Sequence, residues 1–153
     1  MRRAALLLAL CAGTAWAQDA ALLPNPFGDP FVQLTHGIAG CPVPAGPALG
    51  ADESRREAHW RAERGTSCYR DGRCRLPNSY LYDADIIARV QKAVAADGGY
   101  AGTSVWAWGQ RRWVFLAGCV RGAEQAQALE ALVRRLDDVE AVVPALRVIA
   151  PRD

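Results

Sequence analysis

The chain has 153 residues, 51% hydrophobic and 22% charged, with 14 Gly, 9 Pro and 5 Cys. That length suits one domain of ordinary size, and the apolar content excludes a wholly disordered chain. No Gly-x-y or heptad period runs through it, which excludes collagen-like and coiled-coil classes, and a formal charge of +2 is weak ground for nucleic-acid binding.

Arg2 and Arg3 precede an apolar stretch from Ala4 to Ala12 and a small-x-small site, Ala15-Trp16-Ala17. This pattern predicts a secretory signal peptide over residues 1–17, cleaved after Ala17. The apolar run is about half the length a membrane span needs. Leu8-Ala9-Leu10-Cys11 resembles the start of a lipobox. A small residue normally precedes the modified cysteine, however, so cleavage after Ala17 is preferred to lipidation. Cleavage takes Arg2 and Arg3 away: 153 less 17 leaves 136 residues, and 18 less 2 leaves 16 basic residues against 16 acidic ones. A near-neutral exported chain is expected in the periplasm, with a peripheral position at the outer membrane as one option. No nucleic-acid partner is expected.

Cys41, Cys68, Cys74 and Cys119 remain after cleavage, an even number in an oxidising compartment. Two disulfides are the default, with three pairings open. Cys68-Tyr-Arg-Asp-Gly-Arg-Cys74 reads as a small hairpin with Arg70, Asp71 and Gly72 in its loop. That register favours Cys68 with Cys74 and leaves Cys41 with Cys119. A four-cysteine zinc site is the rival reading, weakened by the lack of any CxxC pair.

Residues 18–50 are rich in Pro and Gly and should be irregular, with a short extended piece at Phe31-Val32-Gln33-Leu34. Asp52 to Arg64 predicts a charged helix capped by Asp52 and stopped by Gly65. After the small hairpin, Leu76-Pro77-Asn78 reads as a turn. Asp83 then N-caps a predicted helix to about Ala96, with Ile86, Val90 and Val94 as its apolar stripe. Ser104–Gly109 and Trp113–Val120 read as strands joined through Arg111 and Arg112. Gly122–Leu136 predicts a second helix, and Val139–Val148 a third strand whose Pro144 argues for an edge.

The C-terminal half resembles the BON domain, the bacterial osmotically inducible and nodulation domain. The resemblance rests on four features in order. They are Asp85-Ile86-x-x-x-Val90-x-x-x-Val94, Val114-x-Leu116-x-Gly118-x-Val120, the Ala- and Leu-rich helix, and Asp138-Val139-Glu140-Ala141-Val142. It covers residues 83–148 and departs from the family where Arg111-Arg112 replace the usual Asp-Gly turn and Asp138 the usual Gly. It implies an α+β fold, two helices on one face of a three-stranded sheet in the order α-β-β-α-β. It also implies a non-catalytic envelope protein, associated with phospholipid contact and with tolerance of osmotic or envelope stress. It implies no cofactor and transfers no functional residue. Residues 18–80 form an extension with one short helix and the small hairpin, expected to be tied by disulfides over the other face of the sheet.

Strand alternation points to that other face. A two- or four-residue connection would put Trp106, Trp108, Trp113 and Phe115 on one side and Val105, Ala107, Val114 and Leu116 on the other, and a three-residue connection would reverse the pairing. Both sides are apolar, whereas an antiparallel sheet usually leaves one face polar. Either residues 18–80 cover the aromatic side, with Cys41 bridged to Cys119, or a Trp-rich patch contacts phospholipid or an envelope protein partner. His36 and His59 lie in different local structures and are poor metal ligands as a pair, so no metal is expected. No G-x-S-x-G elbow is present. Arg55, Arg56, Arg61, Arg64, Arg70, Arg73 and Arg75 alternate with Asp52, Glu53, Glu57, Glu63 and Asp71, which reads as a solvated ion-pair surface.

Overall fold

A computed structural model describes residues 21–149. The predicted signal peptide, its expected cleavage site and Cys11 lie outside the described residues. In chain order the elements are β1 (Phe31–Gln33), α1 (Ala51–Gly65), the single turn α2 (Ser67–Arg70), a 3₁₀ turn (Ser79–Tyr82) and α3 (Asp83–Asp97). Then come β2 (Ser104–Gln110), β3 (Trp113–Val120), α4 (Ala123–Arg134) and β4 (Ala141–Val148).

The α+β class holds, but the sheet has four strands in the order β1-β2-β3-β4, not three. The added strand is the Phe31–Gln33 piece of the extension. It pairs antiparallel with β2, Phe31 opposite Trp108 and Gln33 opposite Trp106. Past β1 the chain stays beside β2: Leu34 donates to the Val105 carbonyl at 2.8 Å and Ile38 to Ser104 Oγ at 2.8 Å. A three-stranded sheet would leave the β2 backbone unpaired on this side. β2 and β3 form a hairpin, and β4 returns parallel to β3 through α4. In β4, Pro144 sits at the sheet edge, where its missing N–H costs nothing.

The core lies between the sheet and α3 and α4. Ile86, Ile87, Val90 and Val94 of α3 meet Val105, Ala107, Val114, Leu116 and Val120 of the sheet, with Leu129, Val133 and Val142 completing the cluster.

Four local expectations are corrected. α1 is capped by Gly50, whose N–H donates to Glu53 at 3.3 Å, while Asp52 sits in the first turn. Asp83 does not cap α3, because a 3₁₀ turn runs straight into that helix and makes Tyr82 the cap residue. Cys68 and Cys74 are joined, yet no hairpin carries them. Cys68 lies in α2, and its carbonyl accepts from Arg73 and Cys74 after a turn at Gly72, where φ is +72°. Six residues close this ring as readily by one helical turn as by a hairpin. Arg61 is not solvated, as shown below.

Candidate surface on the aromatic face of the sheet

The two-residue β2–β3 turn decides which side chains share a face. Arg111 and Arg112 have φ of +56° and +67°, the pattern of a type I′ hairpin turn. That turn sets Gln110 opposite Trp113, Trp108 opposite Phe115 and Trp106 opposite Ala117. Trp106, Trp108, Trp113 and Phe115 therefore share the face opposite α3 and α4. An Arg-Arg pair holds this geometry because Asp83, 2% exposed, receives both turn N–H groups on its carboxylate at 2.7 Å. Burial pushes the Asp83 carboxyl up to about 6, against the pull of those two donors.

The aromatic side chains form one cluster. Trp108 stacks on Phe115 with ring centroids 5.1 Å apart and planes 6° from parallel. Phe31 meets Trp108 at 6.0 Å with a 56° tilt. The Arg111 guanidinium lies 5.1 Å from the Trp113 ring centroid. Trp106 is buried, whereas Trp108, Trp113 and Phe115 are half-buried.

The extension covers this face at both ends. At one end, Cys41 is disulfide-bonded to Cys119, which is fully buried, and Ile38 is buried against Ser104. At the other end α1 stands off the sheet. Between them lies a cleft of about 190 Å³, lined by Glu57, Trp60 and Arg64 of α1, Tyr80, and Gln110, Arg111, Trp113 and Phe115. α1 is held there by Arg61, which grips Asp29 with two 2.6 Å hydrogen bonds and Glu57 with one of 3.0 Å. Its guanidinium lies against the Phe27 and Tyr80 rings, at 4.1 and 4.4 Å from their centroids. Gln110 at the end of β2 also donates to Asp29, at 2.6 Å. The Arg61 and Asp29 side chains are 14% and 5% exposed. Their pairing spans 32 residues, so the charge run that contains Arg61 gives no local sign of it. Tyr80 donates to Glu57, and burial beside that carboxylate pushes its hydroxyl up to about 12.

His36 lies in the exposed loop after β1, and His59 lies on the exposed side of α1, 3.2 Å from Glu63. Among the described residues, no cluster of His, Cys, Asp and Glu is arranged as a metal site, and no helix is long and apolar enough to cross a membrane.

Residues 82–150 match the family model of the BON domain. No curated protein matches the chain.

Proposed function

Residues 82–150 being a BON domain, we propose that the protein is a non-enzymatic component of the periplasmic cell envelope. In this reading it contacts phospholipid in envelope maintenance or osmotic stress tolerance. Residues 1–17 are its signal peptide, residues 18–80 an extension, and residues 83–148 the domain itself. The observation that carries this reading is the Trp108, Phe115 and Trp113 cluster, left half-covered between the disulfide-tied loop and α1. Tryptophan beside arginine suits the headgroup boundary of a bilayer, where an apolar ring and a polar tip are both accommodated. The same cluster would serve a protein partner, giving an accessory subunit docked through its tryptophans.

Flotation with phosphatidylethanolamine and phosphatidylglycerol vesicles separates the two. Co-flotation of the purified protein supports lipid contact. Failure to float, with stoichiometric co-purification of an envelope protein in detergent, supports the accessory subunit and overturns the lipid reading.

A further inference from the structure

The cleft under α1 continues into a second one of about 220 Å³, lined by Arg64, Ser67, Cys68, Arg73, Ser79, Arg111 and Glu140. Arg64 and Arg111 line both. The neighbouring charges have partners. Glu57 is bound by Arg61 at 3.0 Å, Arg73 by Asp71 at 3.0 Å, and Glu140 stands 3.8 Å from Arg112. Arg64 and Arg111 pair with no carboxylate among the described residues, and each lies instead against a tryptophan ring, Trp60 and Trp113. Two polar groups beside them are equally unmatched. Ser79, 2% exposed, has a buried hydroxyl with no hydrogen-bond partner, and the buried Trp113 Nε1 has none either. Buried polar groups are ordinarily satisfied, and each of the two clefts that the uncompensated guanidiniums share holds one orphan donor, Trp113 in the first and Ser79 in the second, which points to a missing acceptor.

We infer that this junction binds a phosphate ester. Arg64 and Arg111 supply the charge, and Ser79 and Trp113 donate hydrogen bonds. The aromatic walls formed by Trp60, Tyr80 and Phe115 take the ester's apolar part. Two guanidiniums bring two positive charges, which the roughly −2 charge of a phosphate monoester balances and a single carboxylate does not, and guanidinium forks fit phosphate oxygens. The chain's near-neutral balance hides this local pair. A soluble ester and a lipid headgroup offer the same chemistry, and the site does not depend on the aromatic face touching a bilayer.

The test titrates phenyl phosphate into the protein, reading tryptophan emission, and in parallel titrates phosphatidylcholine vesicles with and without phosphatidic acid. Saturable binding of phenyl phosphate, weakened about tenfold by Arg64→Gln and by Arg111→Asn, supports a soluble ester. Asparagine tolerates the left-handed backbone at position 111 and keeps its N–H for Asp83. A response confined to phosphatidic acid vesicles and lost in the same variants supports a lipid phosphate. Ser79→Ala should weaken binding several-fold while leaving the melting temperature unchanged or higher, because it removes a hydroxyl that has no partner. No response to either probe overturns the site, and so does a response that neither arginine variant alters. Vesicle flotation that persists in both variants leaves the lipid-contact reading standing while this site falls.

Discussion

The Asp83 carboxylate, at the start of α3, accepts the backbone N–H of Arg112 at 2.7 Å across 29 residues, and that of Arg111 alongside it. The first helix of the domain thereby holds the turn that sets the register of the β2–β3 hairpin. The register in turn gathers the tryptophans on one face.

Asp83→Ala should cost about 2 kcal/mol in urea unfolding at pH 7, because two turn N–H groups lose a charged acceptor. The pH dependence has a definite sign. Burial raises the folded carboxyl from 3.8 to about 6, so its favourable contribution is complete below about pH 4 and is lost as pH rises toward 6. Asp83→Asn removes that titration. The stability of the wild type minus that of Asp83→Asn should fall between pH 4 and 6 and level off above pH 7. A difference that grows with pH would show that the turn donors outweigh burial.

Gly118 has φ of +134°, and a Cβ there would meet the Ser104 carbonyl oxygen and stand 3.0 Å from Val105 Cα on the paired strand. This is the physical content of the glycine in the Val114-x-Leu116-x-Gly118-x-Val120 pattern. Gly118→Ala should destabilise the fold by about 2 kcal/mol or more, seen as a lower urea midpoint. An unchanged midpoint would mean that the strand backbone can move aside.

Arg61 and Asp29 are a buried pair that anchors α1. Removing one partner leaves a buried charge, so Asp29→Ala should cost about 3 kcal/mol. Adding Arg61→Met to it should recover part of that loss, and a double-mutant cycle measures the coupling. Additive effects would show that α1 is held by its ring contacts alone.

The Cys41–Cys119 bridge spans 78 residues and the Cys68–Cys74 bridge spans 6. Chain entropy gives them about 4 and about 2 kcal/mol respectively. Cys119→Ser should therefore destabilise more than Cys74→Ser. It should also increase binding of an apolar dye by loosening the cover over Trp106. Equal losses with no change in dye binding would count against the loop as that cover.

Much of the domain was legible because its signals are local. The four-residue spacing of Ile86, Val90 and Val94 marks α3, and the bounds of Trp113–Val120 follow from an unbroken apolar run. What escaped was built from distant partners. The extended propensity of Phe31-Val32-Gln33 is visible, but its place beside β2 depends on residues more than seventy positions away. Asp83 reads as a helix cap because that is the local use of Asp, and only the fold brings the β2–β3 turn to it. Arg61 and Arg64 look alike in a mixed charge run, yet one is buried against Asp29 and the other lines a cleft while pairing with no carboxylate among the described residues.

The most direct test of lipid contact through the aromatic face uses the protein's own tryptophans. In a chain begun at Gln18 with Trp60→Phe, the three that remain are Trp106, Trp108 and Trp113, all on that face. Vesicles whose phospholipids carry brominated acyl chains should bind this protein and quench its emission, and Trp108→Phe together with Trp113→Phe should remove most of the quenching. Vesicle-bound protein whose emission is unaffected by the bromines would contradict the account.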